Sequence, residues 1–351
     1  MQDSVSDVPD VQDPIRLQEN DLRLIQALQI SPRAGWSELG RALGAAPTTV
    51  ARRWERLESS GAAWVSCQPL HGRDSAIAVL EVVCRAGDIL QAARTLAEDA
   101  AAMTIDVTAG GRDLLITVTC PDQLALGRYL LERVAQIPEV ESVRSHVVTR
   151  VYLDASRWRL RSLTSREESR ISSAPRPPGS TSAPTMDALE RKLVEKLSVD
   201  GRRSVQRLAE DLDVSESTVR RRLRSLTDAG ALRLRCEVAR GLTEWHVLEW
   251  FFLRVPPAHI DEAGQVLAGI PELRAVLSTT GPANVIVAAW LRTVADGQRL
   301  ERRLTQLLPW MEVIDRSVVL RPVKLVGRLL DARGLAVGTV PLRGDGGRHG
   351  W

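Results

Sequence analysis

The chain lacks any uncharged apolar run of the ~18 residues that a membrane-spanning helix needs, which excludes a helical membrane protein. Its first twenty residues have neither a basic start nor an apolar stretch. They carry Asp3, Asp7, Asp10 and Asp13 instead, the opposite of a secretory leader, so the expected compartment is the cytoplasm. Cysteine is sparse: Cys67, Cys84, Cys120 and Cys236 lie far apart with no C-x-x-C spacing. That pattern supports neither a zinc knuckle nor a disulfide framework, and no metal or cofactor is expected. Lysine is nearly absent, with only Lys192, Lys196 and Lys324 among 47 basic residues. The arginine bias mostly reflects a GC-rich coding sequence. The net charge of +3 is too small to indicate a nucleic-acid partner until the charge is located. G-x-S-x-G, H-E-x-x-H, P-loop and Rossmann glycine patterns are all missing, so no catalytic residue is expected.

What the chain has is a repeat. Adding 169 to the numbering superposes Leu24, Leu28, Leu39, Leu43, Thr49, Val50, Arg52, Arg53, Leu57, Gly61 and Cys67 on Leu193, Leu197, Leu208, Leu212, Thr218, Val219, Arg221, Arg222, Leu226, Gly230 and Cys236 without a gap. Further on, an offset of 171 matches Thr108, Gly110, Pro138, Glu141, Val147, Val148 and Arg150 with Thr279, Gly281, Pro309, Glu312, Val318, Val319 and Arg321. The 351 residues are a tandem duplication, in keeping with a length that implies two or more domains.

Within each copy the hydrophobic period switches once. The first part is helical, with apolar residues at i, i+3, i+4 or i+7, and ends at Gly61 and Gly230, each suited to a helix C-cap. The second part reads β-α-β-β-α-β, the split pattern of a ferredoxin-like sandwich. The predicted class is α+β: two three-helix, winged helix-turn-helix domains at 17–68 and 187–238, and two βαββαβ sandwiches at 74–155 and 245–330. Residues 162–185, rich in Ser, Thr, Pro and Arg, are expected to form a flexible linker, and 1–16 and 335–351 disordered tails.

Three short helices with about three residues between the second and third describe a helix-turn-helix, whose third helix enters the DNA major groove. Ser215 suits an N-cap and Pro47 a first helical position. If Val219, Leu223 and Leu226 form the buried stripe, then Glu216, Ser217, Arg220, Arg221 and Arg224 face outward. The expected DNA-contacting residues are Thr48, Thr49, Arg52 and Arg53 in the first copy, and Ser217, Arg220, Arg221 and Arg224 in the second. Because 216–224 is more basic than 47–55, the second unit is expected to supply most of the affinity for double-stranded DNA.

The stretches "SESTVRRRLRSLTDAGAL" and "APTTVARRWERLESSGAA" resemble the helix-turn-helix of the leucine-responsive/asparagine regulator (Lrp/AsnC) family. Each copy is similar to a whole member, over 17 to about 153 and 187 to about 330. The resemblance implies a transcriptional regulator that self-associates through its sensing domains and responds to a small molecule such as an amino acid. It also implies an effector site at the turn between the second and third sensing strands, where a G-x-x-D pattern is common. Copy one has Gly110 and Asp113; copy two has Gly281 and Asn284. Since burying an amino acid's ammonium without a partner is costly, the first turn is the expected site. The aromatics Trp245, Trp250, Phe251, Phe252 and Trp290 are expected in core or interface. The alternative function is a siroheme-decarboxylase-like enzyme on the same fold, with His146 and His246 as its candidates; "EWHVLEWFFL" resembles the histidine-containing stretch of those enzymes only loosely.

Overall fold

The computed structural model describes residues 15–69, 75–171 and 186–342. The periodic apolar positions become α1 (Glu19–Ile30), α2 (Trp36–Leu43) and α3 (Pro47–Ser59), which bury Leu24, Leu28, Leu39, Val50, Trp54 and Leu57. They are followed by β1 (Ala63–Pro69), β2 (Ala76–Cys84), α4 (Ile89–Ala97), β3 (Ala102–Thr108), β4 (Leu114–Cys120), α5 (Gln123–Arg128), β5 (Val140–Leu153) and a one-turn α6 (Ser165–Glu168). Copy two repeats the series as α7 (Ala188–Val199), α8 (Val205–Leu212), α9 (Glu216–Asp228), β6 (Leu232–Val238), β7 (Val247–Arg254), α10 (Ile260–Ala268), β8 (Leu273–Thr279), β9 (Val285–Leu291), α11 (Val294–Leu307) and β10 (Glu312–Leu325). A last hairpin, β11 (Arg328–Leu330) and β12 (Ala336–Thr339), follows. Among the described residues, no helix is long and apolar enough to cross a membrane.

The two sandwiches do not stand apart. Strands β5 and β10 have 14 residues each, and each changes sheets at mid-length. β5 pairs with β2 through Val140–Val147 and with β8 through Val148–Leu153; β10 pairs with β7 through Glu312–Val318 and with β3 through Val319–Leu325. The order β10-β3-β4-β2-β5-β8-β9-β7 thereby closes on itself, leaving no open sheet edge in the ring. The crossing registers are reciprocal: Val148 lies opposite Thr279, and its counterpart Val319 lies opposite Thr108. The strands alternate as a half-buried sheet must, with Ala78, Leu80 and Val82 facing the helices and Val79, Leu115, Trp250, Phe252 and Leu277 filling the space between the sheets. An apolar sheet face that would otherwise call for a second subunit is covered here by the other half of the same chain.

Strands β1 and β6, which fall within the predicted helical domains, form a separate antiparallel ribbon in which Ser66 pairs with its own repeat counterpart, Arg235. The pseudo-twofold axis therefore runs through that pair, as in a symmetric dimer interface. The helical units lean across the ribbon: Cys236 and Val238 of copy two complete the core of the first unit, and Cys67 of copy one completes the second. Two arginines extend the exchange. Arg33 donates to the Gly201 and Arg203 carbonyls at 2.6 and 3.0 Å, and Arg202, its counterpart, donates to those of Pro32 and Ala34 at the same two distances.

Two boundaries differ from expectation. Ser162–Ile171, expected to begin a flexible linker, is docked on the first helical unit: Ile171 is buried in its core, Gln26 accepts the Leu163 N–H at 2.9 Å, and Arg23 pairs with Glu167. The polar, Ser- and Arg-rich composition of the segment masks the few apolar residues that anchor it. Part of the tail from Leu335 is likewise ordered, because Leu335 and Leu342 are buried and the Ala336 N–H donates to the Gly61 carbonyl at 2.9 Å. The remaining linker (172–185), residues 1–14 and residues 343–351 lie outside the described residues.

Candidate nucleic-acid interface and effector turns

Each third helix is presented by a three-residue turn that reverses through a left-handed residue, Gly44 (φ 69°) in copy one and Asp213 (φ 53°) in copy two. Pro47 opens α3, and the Ser215 hydroxyl caps α9 by accepting the Thr218 N–H at 3.2 Å. A cap of this kind contributes about 1 kcal/mol, and α3 has no side-chain counterpart at Ala46.

Thr48, Thr49 and Arg52 are exposed on α3, as are Ser217, Arg220, Arg221 and Arg224 on α9. Arg220 bonds Glu216 one turn back at 2.8 Å, an exposed pair that a phosphate could displace at little cost. Arg53 is different. It turns inward to Asp21 of α1 at 3.0 Å, where Arg56 also arrives at 2.5 Å and the Asp21 side chain has no exposure. Burial raises the Asp21 carboxyl, but the Gln18 N–H, Arg56 and Arg53 more than offset it and hold the group below 3.8.

The same brace recurs in copy two, where Arg222 reaches Glu190 at 3.0 Å and Asp187 at 2.8 Å. Thus Arg53 with Arg56 in copy one, and Arg222 in copy two, fasten the third helix to the first, and the expectation that Arg53 faces DNA is corrected. The signal was in the repeat: Asp21 and Glu190 are counterparts, as are Arg53 and Arg222. What remains outward is Arg220, Arg221 and Arg224 against Glu216 in copy two, and Arg52 against Glu55 in copy one.

The effector turns sit on the seam between the copies. Gly110 and Gly281 take φ values of 112° and 101°, which L side chains rarely adopt. Asp113 accepts the Cys84 N–H at 2.8 Å, and Asn284 both accepts from and donates to the Val255 backbone, at 2.9 and 2.7 Å. Each turn also touches the other copy's long strand: Ser317 donates to the Ala109 carbonyl at 2.7 Å, and the His146 Nδ1 lies 3.3 Å from the Thr280 carbonyl. Arg112, beside Asp113, is buried between Glu81 and Asp315 with its guanidinium 4.1 Å from the centre of the Phe252 ring.

The two histidine candidates for an enzyme occupy different settings. His146 is buried with Nε2 2.5 Å from Glu81, whereas His246 is exposed just before β7, and no contact joins them among the described residues. Trp250, Phe251, Phe252 and Trp290 are buried, as expected of core or interface, while Trp245 is half-buried against the core of the first helical unit.

A model of the AsnC-type helix-turn-helix domain matches residues 17–58 and 186–227, and one of the Lrp/AsnC ligand binding domain matches 77–158. An uncharacterized HTH-type transcriptional regulator of Pyrococcus horikoshii is 26% identical over 142 residues, 39% of this chain and 89% of the relative. The HTH-type transcriptional regulator LrpA of Mycobacterium tuberculosis is 28% identical over 137 residues, 38% of this chain and 89% of its own. Among solved structures, the siroheme decarboxylase NirDL aligns over 88% of this chain and 93% of its own with a TM-score of 0.56; at 14% identity this is a likeness of fold. Two copies of the helix-turn-helix, each followed by the same sandwich and interlocked about one axis, make the chain a member of the Lrp/AsnC family in tandem-duplicated form.

Proposed function

We propose that the chain is a cytoplasmic, sequence-specific DNA-binding transcriptional regulator whose two unequal heads are held at a set separation by the rest of the molecule. The observation that carries this reading is the division of the arginines: Arg53, Arg56 and Arg222 are spent on the brace to α1 or α7, while Arg52, Arg220, Arg221 and Arg224 stand exposed with Thr48, Thr49 and Ser217. Arginine forks on an exposed third helix suit guanine edges and phosphates. The ribbon and the reciprocal bonds of Arg33 and Arg202 restrain the heads against each other, so both can engage one duplex only if successive half-sites lie about one helical turn, ~34 to 36 Å, or a multiple apart. Because the heads differ, the favoured operator is an imperfect palindrome.

The effector reading is an amino acid at the Gly110–Asp113 turn, with its ammonium near the Asp113 carboxylate; Asn284 offers no charge at the equivalent place. Contact of each turn with the opposite copy's long strand supports a route to the heads, provided the ligand favours one arrangement of the copies. Further assembly of whole chains through the sandwiches belongs to the same reading.

Footprinting on the gene's own upstream DNA, with and without a panel of amino acids, tests both parts. Protection of two unequal half-sites, altered by an amino acid, is expected. Selection of perfectly symmetric sites, or no protection at low salt, would overturn the assignment.

A further inference from the structure

The two copies are pinned to each other at two equivalent places, and the repeat puts different chemistry at each. The offset of 171 matches His146 of β5 with Ser317 of β10, and Thr280 of the second turn with Ala109 of the first. The Thr280 N–H donates to the Val147 carbonyl at 2.8 Å and the Ala109 N–H to that of Val318 at 2.9 Å, so the backbone contact is the same on both sides. The side-chain contact is not. Ser317 gives its hydroxyl proton to the Ala109 carbonyl at 2.7 Å, whereas His146 turns Nδ1 toward the Thr280 carbonyl at 3.3 Å. Gly281 packs so closely on this ring that a Cβ there would lie 3.3 Å from Nδ1.

The other nitrogen of the buried His146, Nε2, lies 2.5 Å from the Glu81 carboxylate. Burial raises the Glu81 carboxyl, but His146 and Arg112 more than offset it and hold the group below 4.5, so Glu81 is an anion with no proton to give. The Thr280 carbonyl has none either. Both ring nitrogens therefore face acceptors, and only the imidazolium, a donor at each, satisfies the two. A neutral ring keeps one N–H. The carboxylate holds it, as the charged and nearer acceptor, and leaves the Nδ1 lone pair against the Thr280 carbonyl. The other charged groups around the ring are Arg112 of the first turn, which bonds Glu81 and Asp315, Asp315 itself on β10, and Arg144 of β5 at 3.9 Å from Glu81. β7 contributes the uncharged Phe252, its ring centre 6.0 Å away. Of these residue types, histidine is the one that ordinarily changes charge between about pH 5 and 8. In copy two, Phe252 and Ala283 stand where copy one has Glu81 and Arg112, so the titrating cluster is one-sided.

We propose that His146 is a proton-operated latch on the second turn: its imidazolium bridges the Glu81 carboxylate of copy one and the Thr280 carbonyl of copy two, and loss of the proton releases the turn. The set of bonds is complete with the proton on and one short with it off, so acid closes the latch and rising pH opens it. The first turn, held by the Ser317 hydroxyl, does not respond. The latch is independent of whether the chain binds DNA or an amino acid.

The full-length chain, isotope-labelled in its histidine rings, is titrated from about pH 5.5 to 8.5 by NMR, with the His146 signals assigned by their loss in His146→Ser. In parallel, amide hydrogen exchange is followed at Thr280 and Ala109, whose ratio cancels the intrinsic dependence of exchange on pH. Both His146 nitrogens are expected to carry protons at the acid end, and Nδ1 to lose its proton as the pH rises. Over the same range Thr280 should lose about tenfold in protection relative to Ala109, the worth of one charge-assisted hydrogen bond. In His146→Ser, which gives both sides the same residue, the ratio should stay constant. Exchange in the unaltered chain decides the matter if that variant fails to fold. The proposal is overturned if His146 is neutral at the acid end, if the ratio is constant in the unaltered chain, or if it changes in His146→Ser as it does in the parent.

Discussion

Arg53 and Arg221 look alike in the sequence, each within an arginine cluster of a third helix, yet the structure gives them opposite work. Arg221 is exposed, and its replacement by alanine should cost about 1–3 kcal/mol of DNA affinity if it reads a base, roughly 5- to 150-fold. If it grips a phosphate instead, the loss is uniform across sequences and the salt slope falls by about 1. Arg53→Ala removes one of two guanidinium partners of Asp21, whose side chain is wholly buried. With Arg56 and the Gln18 N–H still in place, the expected loss of folding stability is about 1–3 kcal/mol.

The sign of the pH dependence follows from Asp21. Its native carboxyl titrates below 3.8, so its contribution is present above that value and lost as the pH falls through the lower native one. The Arg53→Ala defect should therefore be full at neutral pH and fade in acid. Anisotropy titrations on operator DNA at several salt concentrations, beside urea melts at pH 7 and in acid, measure both effects. A variant pair in which Arg53→Ala weakens DNA binding without loss of stability, while Arg221→Ala binds normally, would refute the division of labour.

Asp106 is buried, and burial pushes its carboxyl up to about 6 against the pull of Arg240, Trp250 and Arg274. Native protein thus holds a proton that the unfolded chain has released, and stability falls as the pH rises from 3.8 to about 6. Asp106→Asn should be more stable than the parent above that range, by at most about 3 kcal/mol, and equal to it below 3.8 in pH-dependent melts. Arg202→Ala removes the bonds to Pro32 and Ala34 and the stack 3.9 Å from the Trp36 ring. Its single-head affinity should persist while the preference for one half-site spacing relaxes, read by binding to operators of varied spacing. Truncation after Leu330 exposes what Leu335 and Leu342 cover and should cost several kcal/mol at about 1.5–3 per buried leucine; an unchanged melting curve would show that the last hairpin carries no stability.

The duplication, the two helical units and the βαββαβ order were legible because they are local: periodicity, caps and turn residues act within a few positions, and Ser215, Pro47, Gly61 and Gly230 stand where such signals put them. The outward set on α9 was legible for the same reason, since a 3.6-residue period decides which side chains oppose Val219 and Leu226. Pairing of β5 with β8 and of β10 with β3, the Ser66–Arg235 dyad and the inward turn of Arg53 were decided only by tertiary structure. Each joins residues far apart in sequence through contacts that leave no period. Composition likewise hid Ser162–Ile171 and Leu335–Leu342, where a few well-placed apolar side chains outweigh a polar average.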